Sequence, residues 1–505
     1  MEKKCKLVLH DEVNASFEGL DPKTRRACYD ELKYFIHAAR HTPAFKLGRW
    51  DGCVSYFAVN GNTYINLLDR VLPIIAKAGW EIEVDDKRPE REVFEFPEID
   101  TDYLVDHLGG PVWPPKHPAA GQQIKLRDHQ VDAIRKFVEN PQALGEIATG
   151  AGKTVITAVL SSLVQPYGRS IVIVPNKDLV KQTESDYKLV GLDTGVYFGD
   201  RKELGHAHTI CTWQSLDRLI KAPAANKDTL DSIKKDLVAV IVDEAHMSKA
   251  QVLTTLLCKT FADVPIRWGM TGTMPREDHE VSALLAGIGP LVHNLGAKEL
   301  MDKGLLSSCH IHMVQLMDTV EFESYQEEHE YLVKDRNHLE WISEFLQEKA
   351  KEGNTLILVD RVETGKLLEE MIPGFVFVYG ATKSNERQES YDSFQDENNL
   401  ILGASYGVAA VGINLPRIFN LVILEPGKSH IRVIQSIGRG IRRAKDKDFV
   451  DVYDVSSTCK FSNKHMKDRK KTYDRIEYPY TVTKVDYLAQ LASGKVYLPG
   501  ESEKK

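Results

Sequence analysis

Seven consecutive residues, Ala148-Thr149-Gly150-Ala151-Gly152-Lys153-Thr154, lead into the apolar stretch VITAVLSSL. Glycines at this spacing let backbone N–H groups curl around phosphate oxygens at the start of a helix. A lysine placed as Lys153 reaches β- and γ-phosphates, and a hydroxyl placed as Thr154 can ligate Mg²⁺. The strict pattern has glycine where this chain has Ile147, and taken alone the stretch is also compatible with a simple turn. About ninety residues later the apolar run LVAVIV ends in Asp243-Glu244-Ala245-His246. A carboxylate at the carboxyl end of a buried parallel strand is placed to hold Mg²⁺, which assigns Asp243 and leaves Glu244 to polarise an attacking water. A solvated strand end is the bland alternative, but two such motifs in this order each predict the other. A third segment, Gln435-Ser436-Ile437-Gly438-Arg439-Gly440-Ile441-Arg442-Arg443, sets Arg439 and Arg442 on one helical face. Guanidinium groups aimed at a γ-phosphate stabilise phosphoryl-transfer charge, whereas an arginine cluster by itself is more often a solvated face.

These residues need strands and helices to hold them. From Ile124 onward short β-branched runs alternate with helical segments, which predicts parallel sheets covered on both faces. SIVIVP, LVAVIVDE and IRWGMTGT belong to one block; TLILVD, FVFVYG, LILGAS, LVILEP and FVDVYDV form a second. The first ~85 residues read as a small α/β unit: strand KCKLVLH, a helical stretch from Asp21 to Pro43, a hairpin around Asn60-Gly61-Asn62, helix LLDRVLPIIAKAGW and strand EIEVD. Charge followed by Pro and Gly between Asp85 and Gln123 is linker chemistry. The expected fold class is therefore α/β, with two parallel α/β domains in tandem after a small α/β domain. The expected boundaries are 1–88, a linker 89–122, motor domains 123–315 and 316–490, and a tail 491–505.

A chain of 505 residues is too long for one ordinary core, and three units of roughly 100–200 residues are expected. The composition, 42% hydrophobic and 27% charged, is that of a globular protein and excludes disordered and fibrous classes. No run approaches ~18 apolar residues and the basic start MEKKCKLVLHDEV has no signal-peptide core, so a cytoplasmic location is expected. Seven scattered cysteines without a C-x-x-C pair read as reduced thiols. A net charge of −8 argues only weakly against a polyanion partner, because capture depends on local potential. Lys460, Lys464, Lys467, Arg469, Lys470, Lys471 and Arg475 crowd a segment whose only acids are Asp468 and Asp474. That is an electrostatic handle for a duplex arm or, equally, a solvated helix.

Taken together, the motifs resemble those of the superfamily 2 helicases and translocases, from about Ile124 to about Ser456. The resemblance implies two RecA-like domains and assigns roles motif by motif. Leu126-Arg127-Asp128-His129-Gln130 is similar to the adenine-recognition element, with Arg127 and Gln130 in its key places. The phosphate loop is the stretch around Lys153, and Asp243 to His246 is the DEAH box. Thr271-Gly272-Thr273, with His246, resembles the element coupling hydrolysis to domain movement. Strand contacts are implied for Pro175-Asn176-Lys177, Thr212-Trp213-Gln214 and Arg361. Gly412 and Asn414 resemble nucleotide contacts near the domain cleft, and Gln435, Arg439 and Arg442 the arginine-finger motif.

The N-terminal segment Phe45-Lys46-Leu47-Gly48-Arg49-Trp50-Asp51-Gly52 resembles that of the UvsW-like phage helicases. It implies DNA contacts for Lys46, Arg49 and Trp50, although Trp50 equally suits a packing role. The expected function is then ATP- and Mg²⁺-dependent unwinding or branch migration of branched DNA (forks, Holliday junctions, R-loops) in replication, recombination and repair. An RNA helicase, a translocase that tracks duplex, and a nucleic-acid-binding protein with a dead ATPase are the alternatives; intact Lys153, Glu244 and Arg442 speak against the last.

Overall fold

Val, Ile and Ala dominate the runs at 169–174 and 237–242, and a strand apolar on both faces is stable only where both faces are covered. The computed structural model describes residues 3–498 except 92, 116–118, 248–249, 413–414, 428–432, 434–435, 439, 443 and 445, and leaves aside the side chains of 247, 250–251, 384 and 410–412. The apolar runs build an eight-stranded sheet, in order Arg201–Lys202, Thr194–Phe198, His208–Thr212, Arg169–Val174, Leu237–Val242, Ile266–Thr271, Gln142–Ile147 and Leu291–Leu295. The five strands from His208–Thr212 to Gln142–Ile147 pair in parallel. Their carboxyl ends therefore stand side by side. Those ends lead into Trp213, Pro175, Asp243, Gly272 and Ala148, which places each motif of this block on one edge.

The helix Lys153–Val164 lies in that layer with nine of its twelve residues buried, so it is apolar around most of its circumference. Truncating Leu160, wholly buried, would cost about 2–5 kcal/mol.

The N-terminal residues form a separate four-stranded sheet, ordered Asn62–Tyr64, Asn14–Glu18, Lys3–Leu9 and Trp80–Asp86. The helix expected from Asp21 to Pro43 ends at Glu31, because Lys33–Phe35 pairs with Cys53–Ser55. The expected hairpin is absent for a related reason. Gly61 does turn, at φ +98°, with no room for a side chain beside the Phe17 carbonyl. Its flanking strands go to different sheets, however, Asn62–Tyr64 pairing with Asn14–Ser16. Long-range pairing has overridden the local turn signal.

The chain divides into two compact units rather than three: Met1–Ile147 with Gly152–Asn294, and Ala148–Ala151 with Leu295–Lys505. The small sheet joins the first because its core includes Ala283 and Ala286 of the helix Asp278–Gly287. Tyr56 Oη donates to the His279 carbonyl at 2.6 Å and Gln142 Nε2 to the Glu12 carbonyl at 2.6 Å. The expected linker is fastened as well. Phe94 and Phe96 pack on Tyr167 and Phe96 on Trp268, while the Glu95 N–H donates to Tyr167 Oη at 2.8 Å.

The second unit has a seven-stranded sheet in the order Val376–Val378, Ile401–Ser405, Thr355–Val359, Asn420–Leu424, Phe449–Ser457, Ser308–Leu316 and Tyr480–Val485, parallel throughout. The five strands expected from the sequence are present. Ser308–Leu316, placed by the sequence in the first motor domain, pairs here instead; His310 and His312 interrupt its apolar run and hide it. Part of the expected tail is also structural, since Leu498 is buried in this unit's core. Among the described residues no helix is long and apolar enough to cross a membrane.

Candidate active site

Beyond the strand Gln142–Ile147 the chain curls through Gly150 and Gly152, at φ +91° and +87°, where a side chain would be strained. A Cβ on Gly152 would also stand 2.2 Å from Gln130 Nε2, so only glycine lets the adenine-motif amide pack on the loop. Gln130 is held there by accepting the Arg127 N–H at 2.9 Å, while the Arg127 side chain is exposed. Ile147, which stands where the strict pattern has glycine, is fully buried as the last residue of its strand.

Lys153 opens the helix with its ammonium 3.0 Å from Glu244 Oε1, and it donates to the Ile147 carbonyl at 3.3 Å. Glu244 is the second residue after the strand Leu237–Val242 and has φ +48°, a strained conformation for a residue with a side chain. Its Oε2 accepts the Gly272 N–H at 3.3 Å and lies 3.6 Å from His246 Nδ1. His246 Nδ1 is 2.6 Å from Thr271 Oγ1, which donates to the Thr273 carbonyl at 2.9 Å. The threonine hydroxyl has one proton, so the imidazole donates to it from Nδ1. Lys153, Glu244, His246, Thr271 and Thr273 thus form one connected chain from phosphate loop to Thr-Gly-Thr element.

Burial alone would raise the Glu244 carboxyl, but the Lys153 charge, with help from His246, holds it below the usual range. Burial moves Asp243 the other way, and the neighbouring Glu244 charge adds to the rise. Burial lowers the His246 imidazole, against the opposing pull of the Glu244 charge. Asp243 accepts the Glu244 N–H at 2.9 Å, and no cationic side chain among the described residues pairs with it. A buried carboxylate in that condition fits a divalent cation, and Thr154, half-buried in the first turn of the helix that Lys153 opens, offers a hydroxyl. No group of three ligating side chains exists among the described residues, so such an ion would complete its shell with phosphate oxygens and water.

At the end of the neighbouring strand Arg169–Val174, Asn176 caps the helix Lys177–Leu189, accepting the Asp178 and Leu179 N–H groups at 3.1 and 3.0 Å. Thr212 caps Trp213–Lys221 in the same way, accepting the Ser215 N–H at 3.3 Å. Gln214 Nε2 donates to the Pro175 carbonyl at 2.9 Å and ties the two loops together. Lys177 is exposed; Trp213 is half-buried against the core. Farther off, Lys46 and Arg49 are exposed, and Trp50 Nε1 donates to the Cys53 carbonyl at 2.9 Å, which makes Trp50 a turn anchor.

In the second unit Arg361 is exposed at the start of the helix Val362–Met371, and Gly412 ends the helix Tyr406–Gly412. Asn414, Gln435 and Arg439 lie outside the described residues. Arg442 is half-buried, its carbonyl accepting Ser307 Oγ at 3.4 Å. Gly438 and Thr149, both counted in this unit, pack so closely that a Cβ on the glycine would lie 2.8 Å from Thr149 Cβ.

Sequence reasoning missed Glu146, whose carboxylate accepts the Met274 N–H at 3.0 Å and braces the Thr-Gly-Thr loop; an acid in an otherwise apolar strand was the available signal. It also placed Arg469 in a surface cluster. Arg469 is 1% exposed and bidentate to Asp454, with both contacts at 2.8 Å.

Residues 123–276 match the family described as the res subunit of type III restriction enzymes, and residues 337–444 the helicase conserved C-terminal domain. The chain is 22% identical over 471 residues to the ATP-dependent DNA helicase uvsW of Enterobacteria phage T4, covering 89% of this chain and 90% of that one. It is 24% identical over 379 residues to the DNA 3'-5' translocase XPB2 of Sulfurisphaera tokodaii, covering 66% and 81%. Among solved structures, S. cerevisiae Dbp5 bound to RNA and ADP BeF3 shares the fold at a TM-score of 0.50 and 15% identity, covering 73% of this chain and 93% of that one. With both RecA-like blocks matched and their motifs in order, the chain belongs to superfamily 2 of the helicases and translocases.

Proposed function

We propose that this chain is an ATP-driven DNA motor that unwinds or migrates branched DNA: forks, Holliday junctions and R-loops in replication, recombination and repair. The observation that carries the reading is the row of five neighbouring strand ends. Two hold the hydrolytic residues, the one between them the Thr-Gly-Thr element, and the other two the Pro175 and Thr212 loops, joined by Gln214. Carboxylates and strand-gripping loops on one rigid sheet edge are suited to convert hydrolysis into movement.

Lys153 would exchange Glu244 for the β- and γ-phosphates, leaving the anionic Glu244 to orient the attacking water. Thr154 and Asp243 would hold Mg²⁺, which when bound neutralises charge between the phosphates. Gln130 and Arg127 would recognise adenine. Arg439 and Arg442, with Gln435, would meet the transition-state charge, and Gly412 and Asn414 would line the nucleotide. His246 would pass a change at Glu244 to Thr271-Gly272-Thr273, altering the grip of Asn176, Lys177, Trp213 and Arg361 on the strand. Residues 1–88, with Lys46 and Arg49 exposed, would steady a second arm. The likeness to the phage T4 DNA helicase spans 89% of the chain and supports DNA as substrate and the host cytoplasm as location.

ATP turnover stimulated by single-stranded DNA, duplex, four-way junction and RNA, at one salt concentration, tests the reading. Greater stimulation by junction and single-stranded DNA than by RNA is expected; RNA as the best stimulator overturns it. A second reading, translocation along duplex without strand separation, is favoured by the match of residues 123–276 to a restriction-enzyme subunit. Displacement of a triplex strand without junction unwinding would select it.

A further inference from the structure

We propose that the exposed face of the helix Lys460–Arg475 is a track for the phosphate backbone of duplex DNA. The inference rests on the DNA reading above and adds a surface that none of the motor motifs supplies. Seven residues of this helix are exposed, and six of them are cations: Lys460, Lys464, Lys467, Lys470, Lys471 and Arg475; the seventh is Asp474. Positions 460, 464, 467, 471 and 475 recur at the spacing of one helical face, a row about 22 Å long at 1.5 Å per residue. The chain as a whole is acidic, at −8, so this row is a local reversal of sign.

The acids nearby do not cancel it. Asp468 lies 3.5 Å from Lys471, an exposed pair of little strength, and Asp474 accepts Tyr480 Oη at 2.7 Å.

The opposite face is what separates this helix from a solvated one. Ser462, Met466, Arg469, Thr472 and Tyr473 are buried. Arg469 chelates Asp454 and also donates to the Gly427 carbonyl at 2.7 Å; Tyr473 Oη donates to Asp454 at 2.8 Å. Ser462 Oγ donates to Glu425 at 3.0 Å. The backbone carrying the lysines is therefore fixed before any contact forms, which removes much of the ordering entropy of a basic tail. A rigid straight row of charge complements a stiff duplex, with one phosphate per ≈ 1.7 Å of axis. Single-strand grooves add aromatic platforms for bases, and none of the seven exposed residues is aromatic.

The test is the salt dependence of nucleotide-free binding to a blunt duplex and to its separated strand, using the full chain between about 50 and 200 mM salt. Replacing Lys464, Lys467 and Lys471 together by Gln should reduce the slope of log K against log salt on duplex by about 2.7, at 0.9 per lost phosphate contact. The same three positions changed to Arg should keep the wild-type slope. So should a control carrying Gln at Lys298, Lys303 and Lys351, the same loss of charge elsewhere in the unit. A wild-type slope in the first variant overturns the proposal, as does a loss confined to the single strand or an equal loss in the control. Failure of the motor reading is distinct: it would be wild-type protein whose ATP turnover no DNA stimulates.

Discussion

Each unit buries an ion pair, and the two are built differently. Arg469 and Asp454 are 1% and 0% exposed, meet through two 2.8 Å bonds, and have Tyr473 Oη on a further carboxylate lone pair. Lys153 and Glu244 are 9% and 15% exposed and meet through one 3.0 Å contact, at the mouth of a glycine loop, with strained backbone at the acid. A fully satisfied pair has nothing left to offer a ligand and serves the fold. A pair with spare valence, next to a strained backbone and a carboxylate that no cation neutralises, is of the kind that functional sites use. The two pairs thus differ in how completely each is satisfied.

The largest effect that would sharpen this contrast concerns Arg442, which lies in the second unit but is assigned to chemistry. Arg442→Ala should lower kcat for ATP by about 10³–10⁵ while leaving nucleotide affinity much less changed. Wild-type turnover, measured by phosphate release, would return Arg442 to the structural class.

Breaking the satisfied pair should act on the fold instead. Arg469→Met leaves Asp454 buried and uncompensated and should cost about 3–5 kcal/mol, read as a lowered denaturation midpoint of the second unit. Adding Asp454→Leu should recover much of that loss, because two apolar side chains strand no charge. A single variant as stable as wild type would show that the pair is not structural.

The smallest expected effect is a difference in pH response. Burial pushes His208 down to about 4 from 6.5, between Ser170 Oγ at 2.9 Å and Gln165 Oε1 at 3.1 Å. Between those pH values the unfolded chain takes a proton that the folded one refuses, so the first unit should lose stability as pH falls from 6.5 towards 4. Glu425 is pushed up by burial to about 8 from 4.5, despite the charge of Arg469. Here the folded state keeps a proton that the unfolded chain releases, so the second unit should lose stability as pH rises from 4.5 to 8. Each slope is at most about 1.4 kcal/mol per pH unit. Calorimetry across pH should show His208→Asn removing the first trend and Glu425→Gln the second; unchanged trends would contradict the assignments.

The catalytic half of the molecule was legible in the sequence because phosphate chemistry constrains backbone and residue type together. Gly150, Gly152, Lys153, Asp243 and Glu244 could be proposed from spacing, and in the sheet the strands that precede them flank Ile266–Thr271. What escaped depended on distant partners. Arg469 reads as one more surface cation until Asp454, fifteen residues away, is seen beneath it. Trp50 suits a DNA contact and a packing role equally until its indole is found on the Cys53 carbonyl. The Phe94–Phe96 strap sits among linker residues, and only Tyr167 and Trp268 reveal it as packed. Asn176 and Thr212 fall between these cases: their caps are visible locally, whereas Gln214 joining their loops is not.

If Lys153 holds Glu244 anionic so that it can orient water in ATP hydrolysis, nucleotide binding and turnover in Glu244→Gln, with Lys153→Ala beside it, will show it. Glu244→Gln should bind ATP with near wild-type affinity while its DNA-stimulated turnover falls by about 10²–10⁴, and Lys153→Ala should lose affinity and turnover together. Wild-type turnover by Glu244→Gln would contradict the account.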